Sequence, residues 1–340
     1  MKKIDFEAHF ITEEWLEKMF ENKGFPKYVR DVKTNACRIE WGDGAIEPIG
    51  DILLNRLLDL GEGRLKTMDE NGIDMQVLTL TIPGVEQLDP HIGAALARKT
   101  NDVLSEVIRS NPGRFLGFAA LAPEIPEEAA DELERAVNQL GLKGWKTHSN
   151  YGENYLDDKK YWPIFERAAK LDVPVYLHPS YPSIPQLRTS YGWALSGAPF
   201  GFGIETAMSM MRLVLSGIFD KYPGLKIILG HLGEALPFLL SRMDYPYVIP
   251  WFDKTTIPSL EKKPSDYIKG NVFVTTSGMY YEPAFTCTYT AIGIERILLG
   301  TDYPYEDPKE CMKFLEGIGL SADDKDRIYG GNAGQVGIHV

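Results

Sequence analysis

The chain contains the stretch Ile297-Leu-Leu-Gly-Thr-Asp302-Tyr-Pro-Tyr-Glu306, an apolar run that ends in a carboxylate and a proline turn. A short run of this kind is typical of a buried parallel strand. Three other runs also end on groups that can bind a metal ion: Ile4-Asp-Phe-Glu7-Ala-His9, Val173-Pro-Val-Tyr-Leu-His178 and Ile227-Ile-Leu-Gly-His231. Because an α/β barrel keeps its chemistry at the carboxyl ends of its strands, the four runs together predict one site at the mouth of a barrel.

The order of apolar runs along the chain supports this fold. Eight segments are predicted as buried strands: 3–9, 73–80, 114–121, 143–148, 173–179, 226–231, 271–277 and 296–302. Amphipathic helical patterns lie between most strands and are clearest over 91–110, 126–140 and 203–219. In the third helix Ala207, Met208, Met211, Leu215 and Ile218 share one face, which we interpret as core. Eight strands alternating with helices favour a closed (β/α)8 TIM barrel over an open sheet.

Three segments do not fit the minimal barrel unit. Residues 10–62, 180–202 and 244–265 are predicted to be loops or helices inserted after strands 1, 5 and 6, where they would act as lids or subunit contacts. The sequence shows no repeat or linker, so residues 1–340 are predicted to form a single domain.

Composition excludes several classes of function. The chain has a net charge of −12, which argues against binding to nucleic acid or to an anionic membrane surface. It has no apolar run long enough for a membrane span, and its first residues lack the apolar stretch of a signal peptide. Its 3 cysteines are scattered and odd in number, which is typical of reduced thiols. We therefore expect a cytoplasmic protein.

Four side chains form the candidate metal site. Glu7 and His9 lie two apart on a strand, so they should point to the same side. Taken singly, each residue has another interpretation: the pair as a surface carboxylate and a core histidine, His178 as a backbone contact, and Asp302 as a helix cap. Together they supply two nitrogen and two oxygen ligands, which suits a single Zn²⁺ or Mn²⁺ with room for water or substrate.

A histidine and a carboxylate form the candidate catalytic pair. His231 and Glu234 lie three apart in Gly230-His-Leu-Gly-Glu234-Ala-Leu-Pro237, where a strand is predicted to turn into a helix. Glu234 could therefore orient the imidazole, as expected for a general acid or base or for a group that polarises water. The alternative is that His231 is a further metal ligand or a capping contact.

Three more residues are candidate substrate or metal contacts. Arg242 lies eight residues beyond Glu234 on the same predicted helix. A guanidinium near a metal cation suits an anionic ligand such as a carboxylate, although a solvated or interface arginine is the alternative. Lys146 and His148 end the fourth strand. Lys146 could bridge two metals if carbamylated, and His148 could contact substrate.

With these residues in hand, the chain resembles the amidohydrolase superfamily, and within it the non-oxidative decarboxylases related to aminocarboxymuconate semialdehyde decarboxylase. The resemblance covers nearly the whole chain. Its most specific motifs are Leu53-Leu-Asn-Arg-Leu-Leu-Asp-Leu-Gly-Glu62, Phe200-Gly-Phe-Gly-Ile-Glu-Thr206, Gly217-Ile-Phe-Asp-Lys-Tyr-Pro223, Gly230-His-Leu-Gly-Glu-Ala-Leu-Pro237, Val274-Thr-Thr-Ser-Gly278 and Thr301-Asp-Tyr-Pro-Tyr-Glu306. The first four are most similar to 5-carboxyvanillate decarboxylases; γ-resorcylate and 2,3-dihydroxybenzoate decarboxylases belong to the same branch.

The resemblance implies roles for the metal-site residues. It implies a metal ion held by Glu7, His178 and Asp302, with His9 as a ligand as in the resorcylate and muconate enzymes. The 5-carboxyvanillate enzymes lack a histidine at the position of His9, so the chain departs from them there.

The resemblance also implies roles around the metal. His231 and Glu234 would lie beside the ion, and Tyr305 would contact substrate. Arg242 would grip the substrate carboxylate, either within one chain or from the neighbouring subunit of a homodimer or homotetramer.

The implied reaction is decarboxylation of an ortho-hydroxylated aromatic carboxylate through protonation of a ring carbon. Asp302 is the first candidate proton donor and His231 the second. The main alternative is a hydrolase or hydratase acting on a ring-cleavage product, with His231 activating a metal-bound water, or a decarboxylase of the muconate semialdehyde type. Binuclear hydrolases usually carry His-x-His on the first strand, whereas this chain has Glu7-Ala-His9. A metal-stabilised binding or scaffold protein is a third interpretation.

Overall fold

The computed structural model describes residues 2–42, 44–188 and 190–339. Its strands are β1 (Ile4–Phe10), β2 (Lys27–Arg30), β3 (Cys37–Gly42), β4 (Ala45–Pro48), β5 (Met75–Leu80), β6 (Phe115–Gly117), β7 (Trp145–His148), β8 (Val175–His178), β9 (Ile227–Leu229), β10 (Val272–Thr275) and β11 (Ile297–Leu298). Its helices are α1 (Glu13–Glu21), α2 (Gly50–Leu58), α3 (Glu62–Glu70), α4 (Pro90–Ser110), α5 (Pro126–Asn138), α6 (Trp162–Lys170), α7 (Pro185–Arg188), α8 (Trp193–Ser196), α9 (Gly201–Leu215), α10 (Ile218–Lys221), α11 (His231–Glu234), α12 (Leu236–Met243), α13 (Tyr245–Val248), α14 (Pro264–Asn271), α15 (Glu282–Ile292), α16 (Pro308–Gly317) and α17 (Ala322–Asp326).

Eight parallel strands form the predicted barrel. Hydrogen bonds join them in the orders β1-β5-β6 and β7-β8-β9-β10-β11. Single parallel bridges link the ends of these two groups, between Ala119 and Trp145 and between Ala8 and Tyr303. All eight predicted strand segments contain an observed strand, which confirms the predicted fold class.

The predicted helices are present, but the bounds and the buried face of one were predicted incorrectly. Segments 91–110 and 126–140 correspond to α4 and α5, each of which begins with a proline in its first turn. The helix predicted over 203–219 is broken, because Gly217 adopts a left-handed conformation with φ of 80° and separates α9 from α10. The buried face of α9 was also predicted wrongly. It includes the polar side chains of Glu205, Thr206 and Ser209, whereas Met208 and Met211 are only half-buried.

Apolar side chains fill the floor of the barrel. They come from seven of its eight strands and from the residue that follows β6, and they are Ile4, Phe6, Met75, Val77, Leu116, Phe118, Tyr176, Ile228, Phe273 and Leu298. Ala333, Val336 and Ile338 of the C-terminal segment belong to the same cluster. Gly330 lies against the backbone of Lys2, so this segment covers the end where the strands begin.

Inserted segments surround the open end, as predicted. Residues 10–62 contain α1 and α2 together with an antiparallel sheet in the order β2-β3-β4, which the sequence did not predict. Short helices follow β8 and β9 in the other two insertions. Within the described ranges, no helix combines the length and apolar character that a bilayer span requires.

Candidate metal centre

A bulge in β1 directs two predicted ligands into the barrel mouth. Between Asp5 and Ala8, β1 has one residue more than the facing part of β5. The extra residue lets Phe6 fill the apolar floor while Glu7, directly after it, also faces the interior. Glu7 and His9 therefore share one side, as their spacing predicted.

The structure brings the four predicted metal ligands together. One ligand atom from each of Glu7, His9, His178 and Asp302 lies within 4.8 Å of the other three. Nε2 of His9 is 3.0 Å from Oδ1 of Asp302, and Nε2 of His178 is 3.6 Å from Oε1 of Glu7. Three of the side chains are buried and Asp302 is partly exposed, so the centre is reached from its Asp302 side.

The hydrogen bonding of the Glu7 carboxylate indicates that this cluster suits a cation. Its Oε2 accepts a hydrogen bond of 2.7 Å from Oγ1 of Thr275. Its Oε1 is buried and has no hydrogen-bond partner among the described residues. An unpartnered buried carboxylate oxygen is costly, and a divalent metal ion would satisfy it. The donor set of two imidazoles and two carboxylates fits such an ion.

Hydrogen bonds on the far side of the imidazoles orient them for metal binding. Nδ1 of His178 donates to the carbonyl of Pro179 over 2.8 Å, which leaves Nε2 free to face the centre. Nδ1 of His9 is 3.0 Å from Oγ1 of Thr79. Burial, aided by the charge of Lys146, lowers the pKa of His178 well below its ordinary value. The neutral imidazole is the form that binds metals.

The segment that carries His231 is a left-handed turn rather than the start of a regular helix. The φ angles of its non-glycine residues are 51° at His231, 55° at Leu232, 54° at Glu234 and 62° at Ala235. Such conformations are unfavourable for residues with a side chain. The sequence predicted that Glu234 and Arg242 share one helix, which is wrong, because α12 begins only after Ala235. The turn nevertheless brings Nδ1 of His231 to 2.6 Å from Oε1 of Glu234, so the predicted pair is present.

His231 also faces the metal ligands. Its Nε2 is 3.8 Å from Oε1 of Glu7 and 3.8 Å from Oδ2 of Asp302. Burial lowers the pKa of His231, but the charges of Glu234 and Glu7 together with hydrogen bonds to Asp302 and Glu234 raise it well above its ordinary value. Burial would raise the pKa of Asp302, but the imidazoles of His231 and His9 lower it to about 2.

Tyr305 borders the centre. Its hydroxyl lies 2.6 Å from Oγ1 of Thr81, and its ring packs edge-on against the ring of His9 at 5.6 Å between centroids. The structure thus brings this predicted substrate contact next to a metal ligand.

His148 lies in a buried network that includes a residue the sequence analysis missed. Its Nδ1 donates to Oε1 of Glu86 over 2.8 Å, and its Nε2 contacts Nζ of Lys146. Nζ of Lys146 in turn donates to the carbonyl of Leu80 over 2.7 Å. Both ring nitrogens of His148 therefore have protein partners. Glu86 could have been suspected from its place in the loop after the second barrel strand, next to Gly84.

Arg242 is not brought to the metal ligands within one chain. It is exposed on α12, and its guanidinium lies 4.7 Å from the ring centroid of Tyr245. Across residues 2–42, 44–188 and 190–339 it forms no ion pair with a carboxylate. Its predicted role stays a prediction.

Comparison with known proteins places this centre in context. The amidohydrolase family model matches residues 4–336. The chain is 38% identical to a γ-resorcylate decarboxylase from a Polaromonas species, with 97% of each protein covered. Its fold is similar to the crystal structure of 5-carboxyvanillate decarboxylase from Sphingomonas paucimobilis, with a TM-score of 0.87, 35% identity and 98% of each chain covered.

A second solved structure contains a metal ion. It is a dihydroxybenzoic acid decarboxylase from Polaromonas with bound manganese and the inhibitor 2-nitroresorcinol; the TM-score is 0.84 at 36% identity, and 98% of this chain and 96% of that chain are covered. The family match spans almost the whole chain, and the relatives cover the same length. The chain belongs to the amidohydrolase family.

Proposed function

We propose that this protein is a metal-dependent, non-oxidative decarboxylase that releases CO₂ from an aromatic acid with a hydroxyl group ortho to its carboxylate. The observation that carries the proposal is a four-donor centre, with an unpartnered buried oxygen on Glu7, beside the carboxylate-held imidazole of His231. Relatives that act on γ-resorcylate, 5-carboxyvanillate and dihydroxybenzoic acid support it, as does the manganese ion in one of them. The cofactor is one divalent ion per chain, Mn²⁺ or Zn²⁺.

The residues of the centre suit proton transfer to a ring carbon. Glu7, His9, His178 and Asp302 would hold a divalent ion, which would supply a Lewis acid that lowers the pKa of the substrate phenol. Asp302 is the only partly exposed donor of the cluster, so it faces the position of a bound ring. We assign it the delivery of a proton to the carbon that bears the carboxylate. His231, at 3.8 Å from Asp302, resupplies that proton or donates it directly.

The bond changes then follow from ring chemistry. The new C–H bond breaks the aromaticity of the ring and leaves the carboxylate on a tetrahedral carbon. The C–C bond to the carboxylate breaks, its electron pair returns to the ring, and CO₂ leaves as aromaticity is restored. Glu234 keeps His231 in position throughout through the 2.6 Å hydrogen bond to Nδ1. We propose that Tyr305, whose ring packs against His9, contacts the substrate. His148 would do so once its Nε2 no longer contacts Lys146.

We propose that Arg242 grips the substrate carboxylate from a neighbouring subunit of a homodimer or homotetramer. Its guanidinium is exposed on α12 and forms no ion pair with a described carboxylate. The same surface exposes large apolar side chains, with Phe238 79% and Trp251 73% accessible. Exposed aromatic side chains beside an arginine are typical of protein interfaces. The three unpaired cysteines suit a reducing compartment, so we place the enzyme in the cytoplasm.

Product analysis tests the proposal. Metal-stripped protein is reloaded with Mn²⁺ or Zn²⁺ and incubated with γ-resorcylate, 2,3-dihydroxybenzoate and 5-carboxyvanillate, while ultraviolet absorbance and CO₂ are recorded. We expect the decarboxylated phenol from at least one substrate, with one metal ion per chain and one deuterium at the former carboxyl position in D₂O. Absence of turnover by metal-loaded protein, with hydration or hydrolysis of ring-cleavage acids instead, would refute it.

A further inference from the structure

A layer of buried polar side chains lies behind the metal centre, between the barrel and α3. Asp5 of β1 and Gln76 of β5 are partners in the strand register, and their neighbours along both strands fill the apolar floor, so these two side chains point outward. There Gln76 contacts Arg64 of α3. Asp5 and Arg64 are fully buried, although burying a charged group is costly unless it is paired. The proposed reaction uses neither of them.

The carboxylate of Asp5 joins the two chain segments that carry the candidate ligands Glu7 and Asp302. Its Oδ1 accepts hydrogen bonds from the backbone N–H of Glu7 over 3.1 Å and from that of Thr301 over 2.9 Å. Its Oδ2 accepts from Oγ1 of Thr301 over 2.6 Å and from Nε2 of Gln76 over 3.0 Å. Thr301 directly precedes Asp302, whose φ of 59° is unfavourable for a residue with a side chain. One carboxylate therefore holds the backbone beside two candidate ligands.

The first of these contacts acts at the bulge in β1. Phe6 and Glu7 have no partners in the register with β5, and both side chains face the barrel interior because of the extra residue. The N–H of Glu7 donates to Asp5 at this point. Without the bulge, the alternation of a strand would turn Glu7 to the outer face, since Phe6 occupies the inner one. The contact with Asp5 thus stabilises the backbone shape that makes Glu7 a ligand.

Arg64 extends the layer to a third candidate ligand. Its Nη2 donates to the carbonyl of His9 over 2.7 Å, and its Nη1 donates to Oε1 of Gln76 over 3.4 Å. Its Nε donates over 2.7 Å to the carbonyl of Asp59, which caps the end of α2. Because the amide of Gln76 accepts from Arg64 and donates to Asp5, the three side chains form one chain of hydrogen bonds from α3 to β1.

We propose that Asp5 is a positioning residue of the metal centre, which sets metal affinity through Glu7 and Asp302 without contacting the ion. This role rests on the proposed function, which supplies the cation. Burial raises the pKa of Asp5 to about 7 against the lowering effect of its hydrogen bonds. In either protonation state Oδ1 accepts the two backbone hydrogen bonds. Groups that orient metal ligands from behind commonly change metal affinity by about 10–100-fold.

An exchange of side chains between positions 5 and 76 separates this role from a merely structural one. Asp5→Asn places an amide nitrogen, which cannot accept a hydrogen bond, against the donor Nε2 of Gln76. If the Gln76 amide turned over, its nitrogen would face the donors of Arg64 instead. The double variant Asp5→Asn/Gln76→Glu restores the chain of hydrogen bonds, because the new carboxylate accepts both from position 5 and from Arg64. Thr301→Val removes a single donor to Asp5 and keeps the side-chain volume.

The matched control is Glu132→Gln in α5. Glu132 is 3% exposed and accepts hydrogen bonds from Nδ2 of Asn101 and from Nε of Arg135, each over 2.8 Å. Oδ1 of Asn101 accepts from the backbone N–H of Ala120 over 2.9 Å. This network also consists of a buried carboxylate, an amide and an arginine, but the backbone that it holds carries no candidate metal ligand.

Metal affinity of the folded protein provides the measurement. Metal-stripped protein is titrated calorimetrically with Mn²⁺ and with Zn²⁺ well below its unfolding temperature, and the Tm of the metal-free protein is recorded separately. We expect Asp5→Asn to raise the Kd of the ion by about tenfold or more, and Thr301→Val to raise it by a smaller factor. Asp5→Asn/Gln76→Glu should return the Kd to within about threefold of the natural value. Glu132→Gln should lower the Tm of the metal-free protein and leave the Kd unchanged.

Two results would overturn the inference: an unchanged Kd in Asp5→Asn with a lowered Tm, which is the behaviour of a merely structural residue, or a double variant that folds but does not regain affinity. If either of these proteins does not fold, Thr301→Val decides, since weaker binding supports the role of Asp5 and an unchanged Kd overturns it. Because the titration contains no substrate, it also separates this role from the reaction. A Kd that depends on Asp5 without turnover of any acid would support the positioning role while refuting decarboxylation. A natural chain that binds neither ion would refute both.

Discussion

Substitution of Glu7 by glutamine tests the metal centre without any need for turnover. Glu7 is fully buried, its Oε2 is held by Thr275, and its Oε1 has no hydrogen-bond partner among the described residues. Glutamine has the same shape and retains an oxygen, but it lacks the negative charge that a divalent ion requires of this ligand. The substitution therefore removes affinity for metal with little change in packing volume.

The size of the effect follows from binding linkage. Metal at a hundredfold excess over its dissociation constant stabilises a folded protein by about 2.7 kcal/mol. An unfolding entropy of about 2.1 cal/mol/K per residue makes about 0.7 kcal/mol/K for a chain of 340 residues, so the natural protein should gain about 4 °C in Tm. If the variant binds about a hundredfold more weakly, the same metal concentration adds only about 0.4 kcal/mol, or less than about 1 °C.

The assay is thermal unfolding of metal-stripped protein with and without Mn²⁺, combined with metal analysis after gel filtration. Glu40→Gln serves as the control, because it removes a carboxylate from the inserted sheet and should keep the full shift. The reasoning is refuted if the Glu7→Gln variant retains both the metal-induced gain in Tm and one bound ion per chain.

Four further predictions follow from the same geometry. Asp302→Asn should abolish turnover even in protein that still contains metal, because the amide cannot deliver an acidic proton; retained kcat would remove Asp302 as donor. Arg242→Leu should raise KM by about tenfold or more with a smaller effect on kcat, because it removes a charge-assisted contact with the substrate. Unchanged kinetics would indicate that Arg242 is a solvated arginine that does not bind substrate. Glu234→Gln should move the alkaline limb of the kcat pH profile to lower pH, since the charge of Glu234 is the largest of the contributions that raise the pKa of His231 against the effect of burial; an unshifted limb would contradict this. Burial raises the pKa of Glu47 from 4.5 to about 8, so the folded state binds this proton more tightly than the unfolded state, and the resulting stability is lost as pH rises through about 8. Urea unfolding at pH 6 and pH 9 should therefore show a smaller loss of stability for Glu47→Gln than for the natural chain.

The barrel and the candidate metal centre could be predicted because parallel strands are buried on both faces. Such strands appear as short apolar runs, and the polar residue that ends each run lies at the carboxyl edge where the chemistry is. His178 ends β8 and follows this rule, His9 lies next to the last residue of β1 and Asp302 lies shortly after β11, whereas Glu7 lies inside β1. The rule also gave the correct number and order of strands. All but the first were predicted too long, because the hydrogen bonds between strands stop before the apolar pattern does, as in β11, which spans only Ile297–Leu298.

Other features could not be predicted because they depend on contacts between distant segments. The buried face of α9 carries Glu205, which accepts hydrogen bonds from Asn150 and Tyr155. These bonds allow a polar face of the helix to be buried, whereas the hydropathy pattern predicts that this face is exposed. Glu86 can be recognised as a candidate functional residue only in the folded structure, where it lies beside His148. The burial of Glu47 has no signal beyond its place in an alternating strand, since the antiparallel sheet itself was not predicted.

Two glycines, each within one of the sequence motifs, leave space for the side chains around His231. A Cβ atom on Gly203, within the Phe200–Thr206 motif, would lie 3.0 Å from Oε2 of Glu234. A Cβ atom on Gly278, at the end of the Val274–Gly278 motif, would lie 3.1 Å from Cδ2 of His231, and Gly278 itself has φ of 61°. A Cβ atom at either glycine would thus crowd the pair, while its own turn is left-handed throughout. A side chain pair held this closely has few alternative positions, so its orientation toward Asp302 is set before any ligand binds, which is the preorganisation that proton transfer to a ring carbon requires.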